Sequence, residues 1–73
     1  MRRWSVTQRA VRRFYPWPLM EVGDYFIAEY RSGRPHSEEQ NYLVRRACLV
    51  RSQTGKRFRT RKLTVGVKVE RIS

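Results

Sequence analysis

The sequence predicts a small α+β domain with the element order β-α-β-β, and three observations carry that prediction. Residues 25–30, YFIAEY, alternate in the way of a half-buried strand. Residues from Ser37 to a stop at Gly55 follow a helical apolar spacing. Residues 56–72 alternate twice around a glycine-containing turn, as a hairpin does. One helix laid across a three-stranded, mainly antiparallel sheet lets all these apolar faces share a single core. With 73 residues there is room for little more, since a chain of this size buries only about 60% of its unfolded surface. Residues 1–18 read as a basic aromatic arm, and residues 19–73 as the core domain.

Taken in order, residues 1–13 permit either a short helix, with Trp4, Val11 and Phe14 roughly on one face, or an arm that orders on binding. The FYPWPL segment sets Pro16 and Pro18 around Trp17, which favours extended backbone. Gly23 and Asp24 then mark a turn into the first strand. Within it Phe26, Ala28 and Tyr30 share one face, and Tyr25, Ile27 and Glu29 the other. The following RSGRPHS stretch reads as a loop that contains His36. Ser37 with Gln40 has the spacing of a capping box, and Glu38 and Glu39 suit the positive end of the helix dipole. Leu43, Ala47 and Val50, joined by Val44 and Cys48, form the apolar stripe. In the hairpin Phe58, Thr60 and Lys62 oppose Arg57, Arg59 and Arg61, with Val65-Gly66 in the turn region and Val67 and Val69 facing inward.

Charge is both large and segregated. The net charge is +11, and all but three of the 17 basic residues (Lys56, Lys62 and Lys68) are arginine. Arg2, Arg3, Arg9, Arg12 and Arg13 load the first 18 residues with no acid among them. Residues 19–44 carry five of the six acids, namely Glu21, Asp24, Glu29, Glu38 and Glu39. Residues 45–62 return to a basic run without an acid. Arginine offers a planar fork for phosphate or carboxylate, although a biased codon composition also enriches it.

Several functions are set aside on residue types alone. Cys48 and His36 are the only cysteine and histidine, whereas a zinc site wants three or four such ligands. Cys48 reads as a small buried hydrophobe. Paired carboxylates, a Ser-His-Asp set and a phosphate-cradling glycine loop are all missing, so neither catalysis nor a cofactor or metal is expected. A single cysteine, no signal-like apolar run and no span-length segment fit a soluble chain in a reducing cytoplasm.

Two constellations remain. Arg57, Arg59 and Arg61 at alternate strand positions align three guanidinia about 7 Å apart, a spacing close to that of phosphates along a strand. With Arg45, Arg46 and Lys56 they are the candidates for binding nucleic acid or an acidic surface; a merely solvated face is the other reading. No exposed aromatic is interleaved with these arginines, Phe58 lying on the opposite face of the strand, so base stacking lacks support. The N-terminal set Trp4, Arg9, Arg12, Arg13, Phe14, Tyr15 and Trp17 holds the residue types that concentrate binding energy at protein interfaces. Phe14 and Trp17 equally suit closing one end of the sheet core.

At YPWPLMEVGDYF (residues 15–26) and TGKRFRTRKLTVGVKVERI (residues 54–72) the chain resembles a family of small phage-encoded proteins. The shared features are an aromatic-proline lead, a MEVGD turn into a strand and a closing hairpin. Val65-Gly66 and Glu70 depart from the Gly-Gly turn and the tryptophan that the family's hairpin often carries. Length and the arginine-rich arm are similar to the family's lytic-phage transcription regulator. That resemblance implies binding to the beta and beta-prime subunits of host bacterial RNA polymerase, in the host cytoplasm. It further implies inhibition of sigma-dependent initiation and promotion of antitermination. DNA or nascent RNA would then lie within reach of a monomeric, membrane-free protein.

Overall fold

A computed structural model describes residues 2–9 and 12–73, with the backbone alone for residues 7–9 and 12–14. Its elements are β1 (Arg3–Trp4), β2 (Thr7–Arg9), β3 (Arg12–Phe14), a 3-10 turn (Trp17–Leu19), β4 (Tyr25–Glu29), α1 (His36–Thr54), β5 (Phe58–Lys62) and β6 (Gly66–Arg71). The α+β class and the strand-helix-strand-strand order of residues 25–71 are those expected.

The sheet is larger than expected. It has four strands in the order β1-β4-β6-β5, and it is mixed, because β1 runs parallel to β4 while the other pairings are antiparallel. Residues 1–13 are thus neither helical nor a simple arm where described. β1 adds an edge to the sheet, and β2 and β3 pair with each other from Thr7↔Phe14 to Arg9↔Arg12. A helix here would stack like charges along its surface, whereas β1 gains ladder bonds such as Tyr25 N–H to the Arg2 carbonyl at 2.9 Å. Val11, invoked for the helical face, lies outside the described residues.

Alternation along β4 and β6 builds the core. Phe26, Ala28, Val67 and Val69 are fully buried, and Leu43 and Val50 of α1 close over them with Trp17 and Met20. Trp17 packs edge-on against Phe26 at 5.4 Å and Phe58 at 4.9 Å between centroids, and Tyr15 stacks on Phe26 at 5.1 Å. The Pro16–Pro18 segment is a 3-10 turn instead of extended chain, with Leu19 N–H donating to the Pro16 carbonyl. The fixed φ of proline is compatible with that turn, and the turn drives the indole inward.

Two helix expectations are corrected. The N-cap is Pro35 with no side-chain cap bond, so Ser37 is not the cap and His36 is the first helical residue. The reason is Tyr30. Its ring stacks on His36 at 3.8 Å, and its hydroxyl accepts a bond from Gln40 Nε2 at 2.9 Å, which occupies the other half of the supposed capping box. Cys48 is exposed, not buried. At 100° per residue it lies about 140° around the helix from Leu43, outside the stripe of Leu43, Ala47 and Val50; Val44 is exposed for the same reason. Gly55 does end the helix, in the left-handed region at φ 77°, its N–H bonding the Arg51 carbonyl.

Gly66 belongs to β6 and not to the turn. A Cβ placed there would lie 2.2 Å from the Ala28 carbonyl oxygen, so no larger residue fits between β6 and β4.

Candidate nucleic-acid interface

Register decides which side chains meet on the sheet surface away from α1. Arg3 pairs with Tyr25, Tyr25 with Glu70, and Glu70 with Arg59. The next outward-facing row joins Ile27, Lys68 and Arg61. Paired residues share a face, so these seven side chains lie opposite the core residues Phe26, Val67 and Val69. Arg57, of the same parity, continues the β5 series at its start, and its carbonyl accepts the Ile72 N–H. Arg3, Arg57, Arg59 and Arg61 are exposed, whereas Tyr25, Ile27, Lys68 and Glu70 are half-buried.

The arginine ladder expected from alternation is therefore present on one face. What the sequence did not reveal is its neighbour. Tyr25 lies two strands inward from the ladder, about 10 Å away, and the Lys68 ammonium sits 4.6 Å from its ring centroid. Such a partly exposed cation–π contact is worth about 0.5–1 kcal/mol, less than the ~1–3 kcal/mol of a base stacked on an aromatic ring. Outward parity for Tyr25 was legible in the alternation, but its alignment with β5 through β6 was not. Arg3 and Lys68 join the face in the same way.

The other candidate residues are spread over different parts of the fold. Arg45 and Arg46 are exposed on α1, across the sheet from the ladder. Lys56 points Nζ to the Pro18 carbonyl at 3.2 Å and so braces the 3-10 turn. Trp17, at 5% exposure, is a core residue and offers no surface to a partner. Tyr15 is stacked in the core and its hydroxyl donates to the Glu39 carboxylate. Trp4 is half-buried, with the Arg2 guanidinium 3.9 Å from its ring. The side chains of Arg9, Arg12, Arg13 and Phe14 lie outside the described residues; their backbones form the β2–β3 ribbon.

Asp24, in the MEVGD block, joins these parts. Its Oδ2 accepts the Glu21 backbone N–H and the Trp4 indole N–H, both at 3.0 Å. These bonds, the backbone one first, hold its carboxyl below the usual aspartate range against the opposing effect of burial. Arg71 braces the same turn from β6, with its Nη1 donating to the Met20 carbonyl at 2.7 Å. Among the described residues no three of His, Cys, Asp and Glu gather to hold a metal ion, and no helix is long and apolar enough to cross a membrane.

Comparison with protein families, curated proteins and solved structures finds no significant match.

Proposed function

We propose that the chain is a non-enzymatic transcription regulator that binds host bacterial RNA polymerase, inhibits sigma-dependent initiation and promotes antitermination. The observation that carries this reading is the separation of two arginine-bearing parts on one small domain. The β2–β3 ribbon bears Arg9, Arg12 and Arg13, and its two flanks, Val6 and Tyr15, pack against the core. Of the ladder, Arg59 and Arg61 lie in β5 and Arg57 just before it. A +11 protein is steered toward a large acidic assembly that also holds nucleic acid. The ribbon, with Trp4, Phe14 and Tyr15 at its base, is the proposed contact to the beta and beta-prime subunits.

Immobilised core polymerase provides the test. Removing residues 1–18 would also remove β1 and Trp17, so the informative variant is the triple Arg9→Glu, Arg12→Glu, Arg13→Glu. Retention of the full chain with at least tenfold weaker retention of the triple variant is expected. No retention of the full chain overturns the polymerase reading.

A second reading, a stand-alone DNA- or RNA-binding protein, is favoured by the exposure of the whole β5 ladder. Five phosphate contacts would give a log–log salt slope of about −4 to −5. Submicromolar binding to a mixed-sequence duplex at physiological salt supports this second reading over the first.

A further inference from the structure

We propose that the sheet face opposite α1 binds a single-stranded polynucleotide, with one base stacked on Tyr25 and phosphates along Arg57, Arg59 and Arg61. This goes beyond the polymerase contact and assigns the face a ligand of its own.

Charge, strand spacing and the position of the ring argue together. Arg3, Arg57, Arg59, Arg61 and Lys68 outnumber Glu29 and Glu70 on this face, so its complement is a polyanion. A duplex would meet the ladder as well as a single strand does, but it keeps its bases stacked inside. Only an unpaired strand can lay a base flat on a sheet-borne ring. The ladder runs along an edge strand, and Tyr25 lies about 10 Å inward from it, a gap that a nucleotide and an extended arginine side chain span together. Glu70 stands between Tyr25 and Arg59 in the same row and repels phosphate there. The backbone is thereby kept on the outer edge and the base on the inner side. Lys68, which caps the ring in the free protein, moves off it and meets the phosphate it displaces toward.

Fluorescence anisotropy with 12-nucleotide oligo-U, oligo-dT and a duplex of equal length tests this. The full chain should bind at least one single strand more tightly than the duplex, and the tighter arm identifies RNA or DNA as the source. Tyr25→Leu, which keeps an apolar β-compatible side chain, should weaken single-strand binding roughly 5- to 100-fold, whereas Tyr25→Phe should restore it. Duplex binding should change less than twofold in either variant. Equal binding of single strand and duplex, or an unchanged affinity in Tyr25→Leu, overturns the proposal. Photocrosslinking of the unaltered protein to an oligo-U carrying 5-iodouracil removes any dependence on variant folding: a crosslink on Tyr25 supports the site, and crosslinks confined to other residues overturn it. The assay contains no polymerase, so its failure and that of the polymerase contact are separate results.

Discussion

The indole N–H of Trp4 donates to Oδ2 of Asp24 at 3.0 Å, joining the edge strand β1 to the turn that opens β4. The same carboxylate oxygen accepts the Glu21 N–H, so one ionised side chain holds both the N-terminal strand and the MEVGD turn. Because the folded carboxyl is held below its unfolded value of ~3.9, the unfolded chain binds the extra proton. Its contribution to stability is complete above that value and is lost as pH falls toward the folded pKa. Urea midpoints measured between pH 2 and pH 6 should fall below about pH 4. Asp24→Ala should be less stable at pH 6 and show a shallower fall. A variant with the same slope as the unaltered chain would remove Asp24 as the cause.

Trp17 should behave as a core residue in spite of its place in the N-terminal segment. Its contacts with Phe26 and Phe58 are buried, and Trp17→Ala should cost about 3–5 kcal/mol. For a domain of this size that is a large share of the ~5–15 kcal/mol typical of folded proteins. Chemical denaturation followed by circular dichroism measures it; a cost below 1 kcal/mol would contradict the packing.

Two glycines should respond differently to alanine. At Gly66 the new Cβ meets the Ala28 carbonyl at 2.2 Å, and neither backbone can yield without breaking the β4–β6 pairing. A loss of about 3 kcal/mol or more is expected. At Gly55 the space is open and only the positive φ opposes the side chain, so about 1–2 kcal/mol is expected. Thermal melts of the two variants side by side give the order.

Cys48 should react with a thiol reagent in the folded protein without added denaturant. It is exposed on α1, and Cys48→Ser should change stability by no more than about 0.5 kcal/mol. A thiol that reacts only in denaturant would place it back in the core.

The ladder arginines should contribute separately to nucleic-acid binding. Arg59→Ala and Arg61→Ala should each reduce the log–log salt slope by about 1, measured on the tighter single strand. Arg45→Ala, on the far side of the sheet, should leave the slope unchanged.

Local periodicity was enough to place the helix, its glycine stop, the inward faces of β4 and β6 and the arginine ladder. Each depends on neighbours a few residues apart, where backbone geometry alone decides which side chains share a face. The fourth strand, the exposure of Cys48, the Tyr30 contacts that replaced the Ser37 cap and the position of Tyr25 among Arg3, Lys68 and Arg59 were decided by the tertiary structure. The fourth strand and the position of Tyr25 depend on which distant segments pair and in what register, and register is set by burial across the whole sheet. The exposure of Cys48 and the Tyr30 contacts depend on which face of α1 packs onto the sheet and on how the loop before α1 returns to it. The sequence thus determined a basic α+β domain with one arginine face. Tertiary pairing, by carrying Tyr25 to that face through β6, determined what the face can recognise.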